Sequence, residues 1–160
     1  MAGRGLDGRL APYHRPVATR LETRSEWLAA HPVPVERLTQ TLAGVARRVL
    51  DGENFHRAVR EFLDEFALGG DDQWREKAIA ERPQRTGDAR QDAYLGALAE
   101  HLAAVHELTR PAWSIEPDRF LNRFWFVSDT RGFRAVSIAQ APAAFRRRGV
   151  FVPERSLHRV

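Results

Sequence analysis

The residues best equipped for chemistry in this chain are its histidines, one turn rich in carboxylates, and two groups of arginines set among aromatic side chains. His101 and His106 share a helical stretch with Glu100 and Glu107. Metal binding from one helix needs imidazoles three or four residues apart, so that both rings face the same side. A spacing of five turns the second ring about 140° away from the first. The pair therefore reads as solvent-facing or helix-capping histidines. His56, beside Phe55 and near Glu53, reads as a surface residue of another helix. Glu61, Asp64 and Glu65 gather on one turn and have the chemistry to hold a divalent cation. Arg57 and Arg60 stand four residues before Glu61 and Asp64, and such pairs stabilise exposed helix faces by a few tenths of a kcal/mol. A salt-bridged face is the expectation there. The chain has no glycine-flanked serine of the nucleophile-elbow kind and no glycine-rich phosphate loop. It has no cysteine, which excludes disulfides, thiolate metal sites and a thiol nucleophile. The expectation is a protein without catalytic residues, metal or cofactor. An enzyme using His101 or Glu107 would have to assemble its site from residues distant in sequence.

The arginine–aromatic groups lead elsewhere. Arg119, Arg123, Arg131 and Arg134 surround the block Phe120, Leu121, Phe124, Trp125, Phe126 and Val127, and Arg146, Arg147 and Arg148 directly follow Phe145. Arginine and tryptophan are the usual anchors of protein interfaces. Arginine with aromatics also stacks on bases and contacts phosphate. Arg123, Trp125, Arg146, Arg147, Arg148 and Phe151 are the candidate partner-binding residues, with Phe124 and Phe126 expected in the core.

The elements that must position these residues are mostly helical. Residues 1–20, with three glycines, two prolines and isolated arginines, read as a flexible basic tail. A short helix fits 21–30, ended by His31-Pro32. Val35, Leu38, Leu42, Val45 and Val49 form one apolar stripe. Phe55, Val59, Phe62, Leu63 and Phe66 form a second, stopped by Gly69-Gly70. Asp71-Asp72 opens a third helix carrying Trp74 and Ile79, which runs to about Glu81. Thr86-Gly87-Asp88 opens the longest, with Tyr94, Leu95, Leu98, Leu102, Val105 and Leu108 as its stripe and Pro111 as its end. After Pro111 the sequence predicts a turn at Glu116-Pro117-Asp118, a helix across Phe133, Val136 and Ile138, a helical turn over 143–148 stopped by Gly149, an extended run at Val150–Val152 and a terminal helical turn. The fold class is mainly α: about four amphipathic helices in a bundle over 21–110, and a small irregular, partly helical segment over 111–160 packed on the bundle or extending from it.

The length of 160 residues suits one domain, and 43% hydrophobic residues suffice for a core. No apolar leader and no membrane-length apolar run is present, so the expected location is cytoplasmic, with no membrane partner. The net charge of +4 is unevenly spread: residues 1–20 carry +3, residues 21–110 carry −4 and residues 111–160 carry +5. An acidic middle between basic ends suits self-complementarity, an acidic partner or nucleic acid.

The stretch WSIEPDRFLNRFWFVS from Trp113 to Ser128, followed by FRAVSIAQAPAAFRRRGVFV from Phe133 to Val152, resembles the C-terminal half of uncharacterised proteins of high-GC bacteria. Those proteins look like antitoxin components encoded beside abortive-infection-type nucleotidyltransferase toxins. The resemblance covers about residues 110–160, a third of the chain. It implies a non-catalytic module that binds and restrains a toxin-like partner enzyme, and it carries over no catalytic residues. A nucleic-acid-binding or transcriptional regulatory protein using the C-terminal arginines is the alternative.

Overall fold

A helix in water needs partners for its first free N–H groups. Four residues of this chain supply them: the side chains of Thr41, Asn54, Asp71 and Asp88 accept from the backbone N–H of Gly44, Arg57, Trp74 and Arg90. The helices that follow are α1 (Leu42–Leu50), α2 (Phe55–Leu68), α3 (Asp72–Ala80) and α4 (Ala89–Val105). The computed structural model describes residues 40–128 and 130–158, which are mainly helical. The expected tail over 1–20, the helix over 21–30 and the start of a helix at Val35 lie outside those residues. Within them, α1 begins only at Leu42, because Thr41 takes an extended conformation and turns its hydroxyl back onto Gly44.

The stripe of α2 is buried throughout, as its period requires. Behind it Gly69 has a steric role: a Cβ there would lie 2.1 Å from the Trp74 indole, whose ring covers the glycine and packs against Phe66 at 5.9 Å. Glycine is what lets α3 fold back this tightly.

Helix α4 departs from the amphipathic reading. Residues 92–99 are buried without interruption, and Leu102 and Ala103 continue the burial, whereas Val105 is half exposed. The helix is central: α1–α3 and the C-terminal segment share one core around it. Its small residues Ala93, Gly96, Ala97 and Ala99 let backbones approach from several sides. It also ends well before Pro111. His106 is its C-cap, Glu107 adopts a left-handed φ of 54°, and the Leu108 N–H donates to the Ala103 carbonyl at 2.8 Å. This is a Schellman closure with glutamate where glycine is usual.

The described residues after Pro111 pack around this helix. Two 3₁₀ turns (Ala112–Ile115, Pro117–Arg119) lead to strand β1 (Trp125–Phe126). Beyond them a 3₁₀ turn (Arg131–Phe133) leads into α5 (Arg134–Gln140), then α6 (Ala143–Arg146), strand β2 (Val150–Phe151) and a closing 3₁₀ turn (Glu154–Ser156). The extended run at Val150 finds an unforeseen partner. It pairs in parallel with β1, Trp125 opposite Val150 and Phe126 opposite Phe151. The indole N–H of Trp113 donates to the carbonyls of Ile79 and Ala80, at 3.2 and 3.1 Å, and so closes the free end of α3. With Phe145, Val150, Val152 and Leu157 in the common core, residues 111–158 are part of the bundle and not an appendage. Among the described residues no helix is long and apolar enough to cross a membrane.

Two substitutions test these closures through thermal unfolding. Glu107→Gly should raise stability by about 0.5–1 kcal/mol, because it removes a left-handed penalty of about 1–2 kcal/mol and returns part of it as unfolded-chain entropy. Gly69→Ala should lower stability by about 1–3 kcal/mol, since the Trp74 ring must leave its seat.

Candidate interaction surface

The arginines that look like one surface group in the sequence separate in the structure. Arg148 has no exposed surface. Its Nη1 donates to Glu100 Oε2 and to the Ala144 carbonyl, both at 2.6 Å, and its Nη2 donates to the Ser114 carbonyl at 2.6 Å. Its guanidinium also lies 4.7 Å from the Phe120 ring centre. Desolvation holds its pKa below the ordinary arginine value, opposed by the hydrogen bond it donates to Glu100. Arg148 is therefore corrected from a contact residue to a buried tie between α4, α6 and the 112–115 turn. Arg119, also fully buried, donates to the Pro83 carbonyl at 2.7 Å, stands 3.5 Å from the buried carboxylate of Asp92 and lies over the Trp113 ring.

Arg147 is exposed and shares Glu100, at 2.5 Å, while lying 5.6 Å from the Phe120 ring. Arg146 is exposed, with no carboxylate within 4 Å among the described residues. Successive residues of a helical turn point about 100° apart, which is how three adjacent arginines reach three different environments.

The aromatic block is likewise divided. Trp125 is half-buried, with its ring 6.3 Å from that of Tyr94 and the Arg90 guanidinium 5.9 Å from its centre. Phe151 is buried: it stacks on Phe126 at 5.1 Å and takes Phe124 against it at 5.2 Å. It supports a surface without being offered by it, a second correction. Phe124, expected in the core, is 76% exposed. Phe126 is half-buried and carries the Arg134 guanidinium 5.1 Å from its ring centre. The sequence of contacts Phe124–Phe151–Phe126–Arg134 runs straight into α5. That helix buries only Ser137, leaving Phe133 at its cap 46% and Ile138 49% exposed. Beside Phe133 a shallow cavity of about 200 Å³ is bounded by Ser128, Pro153, Arg155 and Ser156. Arg123, also exposed, adjoins Phe124.

The exposed apolar residues Phe124, Phe133 and Ile138, and Arg134 beside Phe126, were not among the contact residues expected from the sequence. The available signal was the brevity of the helix around Ile138, whose apolar residues follow no sustained stripe.

The other candidates resolve as structure. Glu61 accepts from Arg57 at 3.0 Å, as its spacing predicts, and also from Arg48, which reaches Glu53 as well. Hydrogen bonds from Arg48 to Glu53, and from Arg57 and Arg48 to Glu61, hold both carboxyls below their ordinary values. His106 caps α4 as expected, but His101 is buried, edge-on to Phe145 at 6.0 Å, and not solvent-facing. It borders a cavity of about 230 Å³ shared with Phe66, His106, Leu157 and His158. Burial lowers the pKa of both His101 and His106. Among the described residues, no group of three or more histidine or carboxylate side chains is placed to hold a metal ion.

Because the folded chain disfavours charge on His101 and His106, the unfolded chain binds more protons below an ordinary histidine pKa of about 6.5. Stability should be level just above that pH and fall as pH drops beneath it, and His101→Gln should flatten the fall in Tm between about pH 7 and pH 5.5. Arg148→Met should cost roughly 3–5 kcal/mol, the penalty for breaking a buried ion pair, whereas Arg146→Met should change stability by less than about 0.5 kcal/mol. Equal effects in urea unfolding would contradict the division of this cluster. Comparison with known proteins finds no matching family model, no similar curated protein and no similar solved structure.

Proposed function

We propose that this chain is a non-catalytic protein-binding module whose working surface is the face formed by Phe124, Phe126, Phe133 and Ile138 with Arg123, Arg131 and Arg134. The observation that carries this reading is the exposure of Phe124, 76% free although its neighbours in the ring contacts are buried or half-buried. Burying a side chain of this size is worth about 1.5–3 kcal/mol. A fold that buries Phe62, Phe66 and Phe145 completely, and leaves Phe124, Phe133 and Ile138 in water on neighbouring elements, has the composition of an interface core with an arginine rim. The resemblance of residues 113–152 supplies the partner class: an enzyme of the nucleotidyltransferase-toxin kind, restrained by an antitoxin-like protein in the cytoplasm.

A second reading, nucleic-acid binding, is favoured by the Arg134–Phe126 stack and by exposed Arg123, Arg131 and Arg146. It requires affinity that falls steeply with salt as phosphate contacts release counterions.

Co-expression with the reading frame beside it tests the first. The chain should co-purify with that enzyme and lower its activity, and the double variant Phe124→Ser, Ile138→Ser, with unchanged Tm, should weaken the complex at least tenfold, or about 1.4 kcal/mol. Undiminished binding by a folded double variant would place the working surface elsewhere. Truncation before Trp113 is no substitute, since it removes Arg119, Phe145 and Arg148 from the core.

A further inference from the structure

The face just described also carries a charge pattern that specifies its occupant. Arg131 lies in the same 3₁₀ turn as Phe133, Arg134 lies on Phe126, Arg123 adjoins Phe124, and Arg155 borders the cavity beside Phe133. None of these four guanidinium groups has a carboxylate within 4 Å among the described residues, in contrast to Arg48, Arg57, Arg82, Arg85 and Arg147 elsewhere on the molecule. Between Asp118 and Glu154 the sequence holds a single acid, Asp129. The chain can balance its cations with neighbouring carboxylates, as it does along α2, and on this face the described carboxylates do not.

The apolar members decide what kind of anion fits. Arg134 and Ile138 are four residues apart on α5 and so project from one side of it. An exposed aliphatic side chain on the helix whose Arg134 lies on Phe126 offers little to a phosphate backbone, because nucleic-acid interfaces are polar and densely positive. It offers a socket to leucine-like or aromatic side chains flanked by carboxylates. Resting on the reading of this face as a binding surface, we infer that its occupant is an acidic amphipathic segment of the partner protein, with apolar side chains set on Phe124, Phe133 and Ile138 and carboxylates paired with Arg123, Arg131, Arg134 and Arg155.

Fluorescence anisotropy on the full chain tests this with a labelled peptide of about twelve residues bearing leucines at helical spacing and glutamates elsewhere. Two further probes are poly-glutamate of equal length and single-stranded oligothymidylate. The amphipathic peptide should bind at least tenfold more tightly than poly-glutamate. Arg131→Glu with Arg134→Glu should weaken it about tenfold or more, and so should Phe124→Ser with Ile138→Ser, each in a chain with unchanged Tm. Oligothymidylate binding more tightly than the peptide, or peptide affinity indifferent to both variants, would overturn the inference. Self-association in sedimentation that Arg131→Glu, Arg134→Glu abolishes would overturn it in favour of a second copy as occupant. The two readings fail separately. If the peptide does not bind while a co-expressed enzyme still requires Phe124 and Ile138, the acidic occupant is wrong and the binding surface stands; if neither requires them, the surface itself is wrong.

Discussion

Arg119 and Arg148 pass over Gly96 of α4 with no solvent on either guanidinium, and the geometry around that glycine admits little else. A Cβ on Gly96 would stand 3.1 Å from the Ser114 carbonyl oxygen, 3.1 Å from Cβ of Arg119 and 3.3 Å from Nε of Arg148. Two cations taken out of water cost several kcal/mol each, and carboxylates and carbonyls offset that cost in part, the Nε of each guanidinium having no hydrogen-bond partner among the described residues. Here Arg148 finds Glu100 and two carbonyls, while Arg119 finds Asp92 and the Pro83 carbonyl. Asp92 is itself held by the backbone N–H and hydroxyl of Thr86. These groups come from the 80s loop, α4, the 112–119 turns and α6, so the two guanidiniums fix how four segments of separate sequence origin meet. Apolar contacts alone would tolerate several such arrangements.

That arrangement explains why so short a set of elements can hold an apolar surface in water. Strands of two residues and a seven-residue helix cannot persist by themselves. They persist because Arg148 leads directly into Gly149, whose left-handed φ of 72° turns the chain into β2, and β2 then holds β1 by the bonds from Trp125 to Gly149 and from Val127 to Phe151. Phe151 faces back onto this pair and supports Phe124 and Phe126. The exposed rings are thus the far end of a chain of contacts that begins at the buried arginines. Rigid support of this kind keeps an exposed ring from collapsing onto its own fold, and it would lower the ordering cost of the proposed association.

The helical part of this architecture was legible in the sequence because its signals are local. Asp71 and Asp88 announce their helices, Gly69 stops one, and the stripe of α2 needs only its period to be recognised. Helix α4 was legible as a helix but not as a central one. Its burial on all sides depends on a C-terminal segment that the stripe rule does not see, and Glu107 ends it in a conformation for which glycine is the usual sign. The surface was legible only as a region. Arg146, Arg147 and Arg148 have one composition and three environments, set by a helical turn placed against Glu100 some forty-seven residues away. Nor could the order of residues tell that Phe151 supports the surface while Phe124 forms it.

The same separation bears on how the basic character of the C-terminal third should be read. Its formal +5 suggests a broad cationic face, yet Arg119 and Arg148 are spent inside the fold and Arg147 on Glu100. Among the described residues a smaller set stays uncommitted, Arg123, Arg131, Arg134, Arg146 and Arg155, and four of these five adjoin exposed or half-buried aromatic rings or the cavity between Phe133 and Pro153. Charges placed at the rim of an apolar patch act mainly on encounter rate and on the choice of partner, while the apolar centre carries the affinity. As the proposed binding surface, a face built this way would discriminate by what surrounds a hydrophobic contact. On the proposed function, it would favour a ligand that brings its own carboxylates to the rim and its own apolar side chains to the centre, and would penalise one that brings only either of them.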